Sequence, residues 1–208
     1  DLFIAALRDR ADQLEAVDRD HGIKGRHWIM QHAFFVSAEQ ARRYAALGID
    51  VTTSMSFSWG KGDMFVERMG EHVLPDLIPL RRLVDAGCRV ACGSDWGPKN
   101  VFEHVALGTT HELCGSGRRN DGPAQRVSRA ESLAMWTREA GRILRWEGIG
   151  TLAVGSHADL IAVDRDPPCS GCLVAVGGTD DVEARAQSQR HDVLDGLVGR
   201  SVLADAHR

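Results

Sequence analysis

The chain has 208 residues, 43% of them apolar, with 25 basic against 29 acidic side chains and a net charge of −4. That length can bury a core in one domain or in a domain with an appendage. The charge balance, with no long block of one sign, excludes the signature of a nucleic-acid or anionic-membrane binder and leaves a small-molecule substrate as the expected partner.

No apolar run approaches the roughly 18 residues of a membrane span, and no leader with a basic start, an apolar stretch and a cleavage site opens the sequence. The five cysteines fall irregularly at 88, 92, 114, 169 and 172, which fits reduced thiols and a cytoplasmic setting. Cys169-Ser-Gly-Cys172 has the spacing of half a zinc or redox site, but no second pair follows and a loop is expected. Asp1, not Met, begins the sequence, and a trimmed or partial product is expected.

In chain order, residues 2–20 carry Leu2, Ala5, Ala6, Ala11, Leu14 and Val17 at helical spacing with charges between them. After His21-Gly22 and a basic turn, the apolar run 28–35 reads as a buried strand with His32 inside it. Ser37 and Gly48 bracket a helix over 38–47 as N-cap and C-terminal stop. The β-branched run 49–57 predicts a second strand, and Ser58-Trp-Gly-Lys-Gly-Asp63 a loop. A helix is expected over 75–86, closed by Gly87, and a third strand over 88–94 ends at Asp95 before Trp96-Gly97-Pro98 breaks the direction.

This alternation of helix and strand signals a parallel sheet, either doubly wound or a (β/α)₈ barrel. After a polar stretch near 115–123, Ser128-Arg-Ala-Glu131 has the form of a capping box ahead of a further helix. The texture changes at Gly148, so a boundary is placed near 147. Strands are expected over 159–163 and 193–203, with a polar insertion at about 177–190.

In parallel α/β proteins the chemistry gathers at the C-terminal ends of the strands. His32 lies late in the first strand and Asp95 ends the third, so both are candidates for one mouth. Each alone has an ordinary explanation, a satisfied core histidine and a turn or helix-capping carboxylate. Taken as a pair they offer the imidazole and carboxylate donors of divalent metals in hydrolases. His21 and His27 stand at the opposite end of the first strand. His104 and His111 fit one partly exposed helix face, with substrate contact as the less favoured alternative, and His157 fits a surface position.

The order of motifs resembles the amidohydrolase superfamily, most closely the family 3 branch of metal-dependent hydrolases. Gln31-His32-Ala33 resembles the sixth barrel strand of that family and Gly93-Ser94-Asp95-Trp96 the eighth. The segment 131–140 is similar to its helix after the last strand. Residues 150–164 are similar to the strands that return to a small flanking β-sandwich.

The resemblance implies a fold of barrel strands six to eight within 1–147, then return strands of the sandwich within 148–208. It also implies His32 and Asp95 as ligands of a divalent metal, most simply zinc, and Asp95 as the acid and base of carbon–nitrogen bond hydrolysis, with Trp96 beside the substrate. The sequence departs from the family pattern in two places. Ser156-His157 follows Gly155 where a lysine is usual, and Gly97 precedes Pro98 where a proline commonly follows Asp-Trp directly.

The family's earlier ligands match no residue here. The competing expectation is therefore a catalytically incomplete fragment whose open sheet edges pair with an N-terminal segment or a second copy. A doubly wound binding protein is a weaker third reading, because no Gly-x-Gly-x-x-Gly or phosphate loop follows a strand.

Overall fold

The computed structural model describes residues 24–161 together with Gln13, Ala16 and Gly22. Three short strands form one parallel sheet in the order β1 (Ile29–Met30), β2 (Asp50–Thr53), β3 (Val90–Cys92). Helix α1 (Ala38–Leu47) links β1 to β2. Helix α2 (Met55–Met69), a 3₁₀ helix (Glu71–Asp76) and α3 (Leu80–Asp85) link β2 to β3. Beyond β3 come α4 (Val101–Thr110), α5 (Arg129–Trp136) and α6 (Arg138–Leu144). The expected parallel α/β order is thus present, and among the described residues no helix is long and apolar enough to cross a membrane.

Local chemistry accounts for the boundaries. Ser37 Oγ accepts from Gln40 N–H while Gln40 Oε1 accepts from Ser37 N–H, a reciprocal pair that satisfies two orphan donors at the start of α1. Gly48, at φ 67°, turns the chain out of α1 and directly into β2. Ser128 and Glu131 form the expected capping box at α5. The core gathers Val51 of β2 with Met55, Leu77, Leu80 and Leu83, all essentially without exposed surface.

Three expectations are corrected. The first strand is two residues long, because His32 (φ 69°) and Ala33 (φ 32°) turn the chain out of extended geometry, and Phe35 instead bridges antiparallel to Leu77. The second strand stops at Thr53, and Ser54, with its hydroxyl accepting from Ser56 N–H, caps α2. Residues 58–63 are therefore helix and not loop. The reason is packing: Gly60 lies against Trp96 and Gly62 against Leu113, where a Cβ on either glycine would collide, so tertiary contact overrides their poor helix propensity.

Residues 148–161 form no strand, and Leu160 and Ile161 are exposed. A strand needs a ladder partner for its backbone groups, and among the described residues none lies alongside this segment. Positions 162–163, the strand expected over 193–203, the insertion at 177–190, Cys169 and Cys172 lie outside the described residues, as do His21 and nearly all of the expected helix over 2–20.

Candidate functional site

Parallel pairing of β1, β2 and β3 puts their C-terminal ends on one side, and the turns after β1 and β3 deliver His32 and Asp95 there. His32 Nε2 stands 3.4 Å from Asp95 Oδ2, with the two side chains 47% and 31% exposed. Both side chains reach solvent. The separation is long for a charge-assisted hydrogen bond, which runs at about 2.7–2.9 Å. Two donors bonded at about 2.0–2.1 Å to one tetrahedral ion stand roughly 3.3 Å apart, so the spacing and the donor chemistry both fit a shared divalent metal. Among the described residues no group of three or more His, Cys, Asp or Glu is gathered.

Both side chains line a cavity of about 500 Å³ whose walls include Thr53, Ser54, Cys92 and Gly93. His32 meets the ring of Phe57 edge-on at 5.5 Å between centroids, which fixes the imidazole from behind. Both residues adopt left-handed backbone, His32 at φ 69° and Asp95 at φ 51°. Each turn is tied by a hydroxyl from the end of β2 or from the start of α2 that follows it. Thr53 Oγ1 donates to the His32 carbonyl at 2.7 Å, and Ser56 Oγ donates to the Ser94 carbonyl, one residue before Asp95, at 2.6 Å. Sequence reasoning missed these hydroxyls because it carried the strand through residue 57. The helix-capping potential of Ser54 was the available signal.

Trp96 does not line the cavity. Its ring covers Gly60, meets Phe57 at 6.3 Å and carries Lys61 Nζ at 5.2 Å from its centre. This cation–aromatic stack joins one face of α2, through Phe57 and Lys61, to Trp96 in the turn after β3. His104 and His111 have no accessible surface, which removes them from substrate contact as placed. His104 packs on the ring of Trp136 with Nε2 2.6 Å from the Pro98 carbonyl, and burial pulls its pKa down. Burial holds His111 at about 3. His157 is exposed, and His27 lines a separate cavity with Asp50 and Arg89 at the opposite ends of the strands.

The fold is a parallel α/β sheet that brings His32 and Asp95 together at the C-terminal ends of its strands. The amidohydrolase family model matches residues 4–186, and the chain belongs to that family. Over 144 residues it is 31% identical to an N-substituted formamide deformylase of Arthrobacter pascens, a match covering 66% of this chain and 26% of that protein. An uncharacterized metal-dependent hydrolase from Pyrococcus horikoshii OT3 shares its fold at TM-score 0.64 and 22% identity, over 79% of this chain and 32% of the other. A mutant atrazine chlorohydrolase from Arthrobacter aurescens TC1, complexed with zinc and atraton, matches at TM-score 0.50 and 21% identity, over 76% of this chain and 35% of that one. The chain thus spans about a quarter to a third of the length of these relatives.

Proposed function

We propose that these residues form strands six to eight of a metal-dependent amidohydrolase barrel in which His32 and Asp95 hold a divalent ion, most simply zinc. The reaction is hydrolysis of a carbon–nitrogen bond in a small amide, of the N-substituted kind for which the Arthrobacter relative is named. The observation that carries this reading is the 3.4 Å approach of His32 Nε2 to Asp95 Oδ2 at the C-terminal side of the sheet. The zinc in the chlorohydrolase structure supports the choice of ion.

A divalent ion held by His32 and Asp95 would supply Lewis-acid chemistry, activating water and polarising a carbonyl. The protein's own groups do the rest. Asp95 Oδ2 faces His32, and Oδ1 has no hydrogen-bond partner among the described residues. Oδ1 is the atom that takes the proton of the attacking water and returns it to the leaving nitrogen. Trp96, next to Asp95 in sequence and stacked on Lys61 outside the cavity lining, serves as packing between the Asp95 turn and α2. Any further donors would come from outside the described residues; the chain spans 26% of the formamide deformylase that it matches.

The test is formate release from a panel of N-substituted formamides by the full-length enzyme. Replacing Asp95 with Asn is expected to lower kcat by about 10²–10⁴-fold, the range for loss of a positioned acid–base group, while the fold persists. Unchanged turnover would overturn the assignment. A second reading has one observation in its favour, the absence of a third donor among the described residues. In that reading the polypeptide is a structural or interaction piece, and the purified full-length protein would contain no stoichiometric metal.

A further inference from the structure

The two candidate ligands reach the mouth from the outer strands, yet the groups that fix their backbones both come from the end of the central one. Thr53 is the last residue of β2, 3% exposed, and its Oγ1 donates to the His32 carbonyl at 2.7 Å. Ser56, fully buried in the first turn of α2, donates Oγ to the Ser94 carbonyl at 2.6 Å.

Each hydroxyl has one proton to give; Ser54 Oγ lies within reach of two acceptors, Ser56 Oγ at 2.8 Å and the Ser94 carbonyl at 3.2 Å, and its shorter contact leaves Ser56, at 2.6 Å, as the main donor to Ser94. Ser56 N–H donates to Ser54 Oγ at 3.2 Å, Ser54 Oγ donates to Ser56 Oγ at 2.8 Å, and Ser56 passes its own proton to Ser94. Such a chain strengthens along its length. Gly97 closes on Ser56 from the other side, since a Cβ there would collide with Oγ. The hydroxyl is thereby confined to its carbonyl.

Left-handed backbone at a non-glycine residue persists only where the surroundings impose it. His32 and Asp95 both have it, and each is tied down either at its own carbonyl or at the residue before.

We infer that Thr53 and Ser56 form a hydroxyl bracket that sets the gap between His32 and Asp95, making them positioning residues for the metal pair. Neither needs to touch metal or substrate. The inference rests on the proposed function for its consequence but not for its geometry, and the test separates the two.

Thr53→Val keeps the β-branched shape and removes only the hydroxyl; Ser56→Ala does the same for the second arm. Ser132→Ala is the control, because Ser132 is equally buried and donates to the Val105 carbonyl at 3.1 Å, away from the mouth. Metal-free full-length protein is titrated with cobalt(II), read by its visible absorption, and each variant's crystal structure is determined without metal. The expected result is cobalt affinity about 10- to 100-fold weaker for Thr53→Val and Ser56→Ala, the range seen when a partner of a ligand is removed. Their crystal structures should show the His32–Asp95 gap changed and left-handed φ lost at the released residue, with neither effect in Ser132→Ala.

An unchanged gap in both variants, or equal cobalt affinity in all four proteins, would overturn the bracket. If the wild-type protein takes up no cobalt, the metal reading fails, while the gap in the crystal structures still decides the bracket by itself.

Discussion

Asp95 and His32 are recognisable in sequence because each breaks an apolar run with a group that is costly to leave unpaired. Their shared left-handed backbone and its hydroxyl anchors are not, since serine and threonine near a strand end have many uses. Gly97, which in sequence is only a departure from the family pattern, acquires a reason: it lets the Asp95 turn close on Ser56. Gly97→Ala is expected to cost about 1–3 kcal/mol from overpacking, read as a lower urea midpoint.

His111 carries a second consequence at this scale. Burial first, and then the nearby positive charge of Arg126, pull its pKa from 6.5 to about 3. The unfolded chain takes up this proton near pH 6.5 and the folded chain only near 3, so the unfolded state binds more protons between them. Folding stability should therefore be whole above pH 6.5 and fall as the pH drops towards 3, by on the order of 5 kcal/mol at full extent. His111→Asn tolerates the left-handed φ of 48° and removes the titration. Urea denaturation across this window should give a flatter pH dependence for the variant, and an equal slope would contradict the assignment.

Among the elements, α1 and α5 are legible in sequence because their caps are local. Ser37-x-x-Gln40 and Ser128-x-x-Glu131 specify helix starts without any tertiary contact. Helix α2 is not legible, because its glycines are selected by distant neighbours, Trp96 and Leu113. The first strand is overread for a similar reason: apolar character through Phe35 reflects burial, which the antiparallel bridge to Leu77 satisfies without continuing the parallel strand.

Ser128→Ala should lower stability by about 1 kcal/mol, the usual cost of a lost N-cap, measured by chemical denaturation. The Ser128 hydroxyl, with help from the Arg81 guanidinium, holds the Glu131 carboxyl at about 2. The contribution is therefore present above the ordinary carboxylate pKa of 4.5 and is lost as the pH falls from there towards 2. Glu131 is largely solvated, so its share of stability is modest.

For the whole molecule, the three-stranded parallel sheet and the family membership agree with the sequence, and among the described residues no further strand pairs with the outer edge of β1. Trp28 and Ile29 beside the β1 edge and Leu144 at the end of α6 are exposed apolar side chains, and Ile29 and Leu144 face the same cavity as His32 and Asp95. In the proposed barrel these positions would meet further strands.

The central claim is that His32 and Asp95 share one ion, and metal content measured by mass spectrometry on the purified full-length protein tests it directly. The wild-type protein should hold near-stoichiometric divalent metal, and the His32→Ala, Asp95→Ala double variant should hold about one ion fewer per chain with its fold retained. Equal metal content in the two proteins would contradict the account.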